Sequence, residues 1–100
     1  MFSGIVEGQA ILSSKEDKES IVTMEFTTTA FNPLDLDLGA SIAINGVCLT
    51  ATFLNKDSFS VDVSTETLKC TNIGELEVED VVNIEQSLKL GDSKIGRAHV

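Results

Sequence analysis

One hundred residues, 42% hydrophobic and 23% charged, make a single globular domain with one core, and no stretch approaches the ~20 apolar residues of a membrane span. Sixteen acidic against seven basic residues give a net charge of −9, which makes nucleic acid and anionic membranes poor partners. Cys48 and Cys70 lie far apart without CxxC spacing, and a lone histidine, His99, cannot complete a metal set, so a zinc site is excluded.

The start, MFSGIVEG, lacks the basic opening and long apolar run of a signal peptide, and the cytosol is the expected compartment. A first strand is expected over Gly4 to Leu12, followed by a charged segment, SSKEDKES, that reads as a solvated turn. In IVTMEF, Val22, Met24 and Phe26 share one face while Thr23 and Glu25 take the other, the period of a strand with one buried side. TTAFNPLDLDLG then breaks the pattern around Pro33, as a turn or short helix closed by Gly39.

Strands follow at Ser41 to Ile44 and Cys48 to Leu54, separated by Asn45-Gly46, the dipeptide that most readily takes positive φ. Asn55-Lys56-Asp57 forms a short hairpin into SFSVDV, where Phe59, Val61 and Val63 alternate with Ser60 and Asp62. STETLKCTNIGEL reads as a short helix over a barrel end, with Ser64 or Thr65 as N-cap and Leu68 and Cys70 turned inward. After the acidic turn GELEVED, VVNIEQ supplies the last strand through Val82 and Ile84. Six short strands with short connections predict an all-β fold, a small antiparallel barrel or sandwich. A barrel removes the exposed sheet edges that so short a chain could not otherwise cover.

Three features can carry chemistry, and each has a structural alternative. Asn45-Gly46-Val47-Cys48-Leu49-Thr50 sets a thiol and a hydroxyl on one strand face, although a lone strand cysteine is most often a small buried hydrophobe. Asp62-Val63-Ser64-Thr65-Glu66-Thr67 gathers acceptors, hydroxyls and amides at a strand-to-helix junction, which is a polar binding site or a capped helix start. In Phe2-Ser3-Gly4-Ile5-Val6, Gly4 either closes a sheet or lets a planar ligand approach the backbone.

MFSGIVEG, SIAINGVCLTAT, DVSTETLKCTNIGEL and VVNIEQSLKLGD, in this order and spacing, resemble the N-terminal lumazine-binding domain of riboflavin synthase from Met1 to about Ser93. The resemblance implies a six-stranded Greek-key barrel with one or two short helices, two such barrels per chain, and a homotrimer whose active sites lie between barrels of neighbouring subunits. It implies the dismutation of two molecules of 6,7-dimethyl-8-ribityllumazine into riboflavin and 5-amino-6-ribitylamino-pyrimidinedione, without metal or cofactor. By position, Gly4, Ile5 and Val6 resemble a backbone strip along the pteridine edge, and Cys48, Leu49 and Thr50 a second wall. Asp62, Val63, Ser64, Thr65, Glu66 and Thr67 resemble the segment that holds ribityl chain and ring, while Cys48, Ser41 and Phe2 stand nearest the chemistry. A neutral heterocycle with a polyol tail asks for apolar walls and a few fixed donors and acceptors, which this composition can supply.

Two other readings stay open: a non-catalytic lumazine or flavin carrier of the lumazine-protein kind, and a structural barrel with no ligand. The family continues past LKLGD with a Gly-Gly-His segment and then a second barrel, whereas this chain ends Lys94-Ile95-Gly96-Arg97-Ala98-His99-Val100. Residues 95–100 are what one frame of a common sequencing-adapter string encodes before a stop codon, so residues 94–100 are expected to be a non-native tail and His99 no part of a site.

Overall fold

The structure, a computed structural model, describes residues 8–86. The expectations for Phe2, Gly4, Ile5, Val6, the start of the first strand and the 94–100 tail lie outside those residues.

Six strands form one closed antiparallel barrel: β1 (Gly8–Lys18), β2 (Ile21–Thr28), β3 (Ser41–Ile44), β4 (Val47–Leu54), β5 (Ser58–Ser64) and β6 (Val81–Gln86). The order around the barrel is β1-β2-β5-β4-β3-β6, closing back onto β1. Three hairpins, β1–β2, β3–β4 and β4–β5, supply the local pairings. The chain then crosses a barrel end twice: from β2 to β3, which are not neighbours, and from β5 to β6. A six-residue helix, α1 (Thr65–Cys70), and 3-10 turns at Pro33–Asp35 and Asn72–Glu75 occupy these crossings.

The period-2 patterns land as expected. Val22, Met24 and Phe26 of β2, Phe59, Val61 and Val63 of β5, and Val82 and Ile84 of β6 all point into one core. Ala10 and Leu12 of β1, Ile42 and Ile44 of β3, and Leu49 and Ala51 of β4 complete it. Phe26 and Phe59 stack at a centroid distance of 5.7 Å, and Phe31, from the loop after β2, also stacks with Phe59 at 6.4 Å. Ile73 and Leu76, around the second 3-10 turn, plug the end beneath α1.

Two sequence expectations need correction. SSKEDKES is mostly strand, because β1 runs to Lys18 and only Glu19 and Ser20 make the turn. A bulge between Leu12 and Ser14 shifts β1 against β2, and beyond it Lys15 pairs with Met24 and Asp17 with Val22. Every residue of this extension is exposed, so it shows no alternation to read; the partner strand alone makes it β. Lys15 ties the extension to the barrel end by donating from Nζ to the Leu76 carbonyl at 3.0 Å. Cys70, expected to face inward, is exposed at the last turn of α1, while Leu68 packs against the core. One short helix cannot turn residues two apart to the same side.

Asn45 (φ 49) and Gly46 (φ 86) form the tight β3–β4 turn, both in the left-handed region that this dipeptide tolerates. The turn is pinned across the sheet. Asn45 N–H donates to the Asn83 carbonyl and Asn83 N–H donates to Asn45 Oδ1, both at 2.8 Å, which extends the β3–β6 ladder past its last pair.

Candidate functional site

Among the described residues the barrel interior is lined by apolar side chains and offers no unpaired polar group to a ligand, since no buried side-chain nitrogen or oxygen lacks a hydrogen-bond partner. Any polar ligand is therefore met on the outside. Strand alternation decides which residues those are. With Ile42, Leu49, Ala51, Val61 and Val63 turned in, Ser41, Cys48, Thr50 and Asp62 must turn out.

They turn out beside one another. Ser41 faces Thr50 across the β3–β4 ladder, and Ala43 faces Cys48 one step along, so their side chains are cross-strand neighbours at about 5 Å. One residue beyond the Ala51–Val61 pair of β4 and β5, Thr50 and Asp62 project to the same outer face. Asp62 in turn faces Thr23 across β2–β5, and the Thr23 hydroxyl donates to Asp62 Oδ1 at 2.7 Å. The result is a polar row, Ser41, Thr50, Asp62 and Thr23, crossing four neighbouring strands, with Cys48 one step to the side.

Cys48 is exposed, which overturns the pattern-based reading of a buried small hydrophobe. The small Ala43 beside it is buried, at the register position shared by Cys48 and Glu85, and gives the thiol a flat apolar neighbour. Leu49 and Val63, by contrast, face the core, 7% and 0% exposed. Their part in the expected walls is to set the orientation of the residues on either side of them.

The strand-to-helix junction continues this face. Ser64 ends β5 and is the N-cap of α1: its hydroxyl accepts from the Thr67 N–H at 3.2 Å and also meets Thr67 Oγ1 at 3.0 Å. The cap is thus Ser64 and not Thr65, whose N–H instead donates to the Ser20 carbonyl at 3.3 Å and ties the helix start to the β1–β2 turn. Thr65 and Glu66 are exposed and Thr67 half-buried. The structural alternative therefore holds for Ser64, and it leaves Asp62, Thr65 and Glu66 presented to solvent. Ser64→Ala is expected to cost about 1 kcal/mol of stability, read as an earlier urea midpoint with an unchanged slope.

Among the described residues, no group of three His, Cys, Asp or Glu side chains is placed to hold a metal ion. What the face offers is one thiol, several hydroxyls, the Asp62 carboxylate with Glu66 and Glu85 at its margins, and the small Ala43 side chain.

Residues 3–87 match the lumazine binding domain family. The chain belongs to that family. It is 42% identical to riboflavin synthase from Escherichia coli strain K12 over 92 residues, which cover 92% of this chain and 43% of the relative. Riboflavin synthases from Chlamydia pneumoniae and Bacillus subtilis strain 168 are each 39% identical over 93% and 88% of the chain, covering 46% and 40% of their own lengths. The chain thus spans less than half the length of these relatives. Among solved structures, LumP complexed with riboflavin superposes with a TM-score of 0.78 at 26% identity, over 93% of this chain and 52% of LumP. LumP complexed with 6,7-dimethyl-8-(1'-D-ribityl) lumazine gives 0.77 at 26% identity, over 87% and 49%. Strand count had left barrel or sandwich open; the sheet is a closed six-stranded barrel, as the family resemblance implied.

Residue pattern alone missed Thr23, which joins the polar row through Asp62, and did not show that Asn45 is pinned to Asn83. Both partners lie far along the chain, and neither pairing is visible before the sheet order is known.

Proposed function

We propose that this chain is the lumazine-binding barrel of a riboflavin synthase, taking 6,7-dimethyl-8-ribityllumazine or riboflavin against the outer face of β3, β4 and β5. The observation that supports it most is the shared outward direction of Ser41, Cys48, Thr50 and Asp62, next to the start of α1. By the family resemblance, Gly4, Ile5 and Val6 would belong to the ligand-binding residues and Phe2 to those close to the ligand. The ring would lie along the thiol and Ala43, and the ribityl chain would run over Thr50 and Asp62 toward Thr65, Glu66 and Thr67.

In this reading the reaction moves a four-carbon unit from one lumazine to a second. The methyl group that reacts is acidic because its anion delocalises into the ring, so catalysis rests largely on holding two substrates face to face, with the Ser41 hydroxyl and the Cys48 thiol as polar neighbours. A single barrel presents one face. The second substrate would sit on a second barrel, in a homotrimeric two-barrel parent, and the lone barrel would bind but turn over little.

Titration of the folded chain with riboflavin, followed by flavin fluorescence, is expected to give saturable binding at one site per barrel, with the lumazine competing. Titration without saturation by a folded sample would defeat the proposal. The likeness to LumP favours a second reading, a carrier without turnover. The higher identity to the synthases weighs against it. Assay of a two-barrel product of the source gene separates the two: riboflavin formed from the lumazine supports the synthase, and tight binding without product supports the carrier.

A further inference from the structure

Thr23 belongs to none of the segments that the family resemblance marks, yet it makes the hydrogen bond that fixes the one carboxylate of the polar row. The bond runs between register partners on adjacent strands, Thr23 on β2 and Asp62 on β5, both turned outward. A threonine on a strand is stiff at χ1, so its hydroxyl is set by the backbone, and an exposed aspartate that accepts from it loses much of its rotational freedom. Accepting one bond uses one of roughly four lone-pair positions of a carboxylate. Asp62 is exposed, so the remaining ones can be reached by a ligand on this face.

Along that row the groups recur at the inter-strand distance of about 4.8 Å: the Ser41 and Thr50 hydroxyls, then the Asp62 carboxylate. Hydroxyls both donate and accept, and a carboxylate accepts twice, so the row matches a flexible chain of neighbouring hydroxyls. A flat ring without one has fewer polar partners for it, fixed in the ring plane. We propose that Thr23 is a positioning residue that holds Asp62 for a ligand's polyol chain and so sets the preference of this face for polyol-bearing heterocycles. This rests on the reading of the face as a lumazine and flavin site.

The test compares riboflavin with lumiflavin, the same ring system with a methyl group in place of the ribityl chain, by fluorescence titration of the full chain. In Thr23→Val, which keeps the side chain's shape and removes the hydroxyl, riboflavin binding is expected to weaken roughly 5- to 10-fold while lumiflavin binding stays within about 2-fold. Thr23→Ser restores the riboflavin affinity. In an Asp62→Ala background, Thr23→Val has no further effect on either flavin, as expected of two residues acting as one unit.

A loss shared equally by both flavins, or a riboflavin loss that persists undiminished in Asp62→Ala, would make Thr23 merely structural and overturn the inference. So would a Thr23→Val variant that binds riboflavin like the parent. If the parent chain binds neither flavin, the site reading itself fails; if it binds both and only the variant comparison is flat, the role of Thr23 alone fails.

Discussion

Phe59→Ala is expected to lower the thermal midpoint of the chain by at least about 12 °C. Phe59 has no exposed surface and stacks with two other rings, Phe26 at 5.7 Å and Phe31 at 6.4 Å. Truncating such a ring removes its own burial and leaves a cavity that β2, β4 and the loop after β2 cannot all close, at a cost of roughly 3–5 kcal/mol. Domains of this size hold about 5–15 kcal/mol in total. Phe53→Ala is the matched control. Phe53 is 53% exposed at the β4 bulge, and its loss should change stability by no more than about 1 kcal/mol. Thermal melts of both variants by circular dichroism check the pair; equal midpoints would show that the stacked rings do not organise the core.

Thr50→Trp is expected to weaken riboflavin binding roughly 100-fold without unfolding the barrel. Thr50 is exposed, and its neighbours across the sheet, Ser41 and Asp62, share its outer face, so an indole there fills the volume a ring or polyol would use. Tryptophan is compatible with a strand, and the side chain meets no core residue, so the melting temperature should move by only a few degrees. Lys56→Trp, in the exposed β4–β5 turn, serves as the comparison and should bind like the parent. Titration of the two variants side by side reads the prediction. Retained affinity in Thr50→Trp would move the ligand off this face.

The sequence revealed the inside of the barrel better than its outside. Val22-Met24-Phe26 and Phe59-Val61-Val63 alternate because one face meets the core, and that is a local, repeated signal. The extension of β1 through Ser14–Lys18 carried no such signal, since both of its faces are wet and its strand geometry comes from pairing with β2. The thiol at Cys48 could not be placed by composition either. Its exposure follows from the phase of its neighbours, Leu49 and Ala51, which a reader fixes only once β4 is seen to face the core through them. Resemblance to a family drew attention to Cys48, Thr50 and Asp62, while the hydrogen bond from Thr23 needed the actual sheet order, in which β2 lies beside β5.

That same order has a consequence for how the chain comes off the ribosome. β6 joins β3 to β1, so until Val81–Gln86 has been synthesised the sheet is an open ribbon with two bare edges, one of them the first strand made. Messages that stop short of this strand should yield sticky, protease-sensitive products, while those that pass it can seal the barrel at once. Among the described residues, the strand made last is the one that closes the sheet.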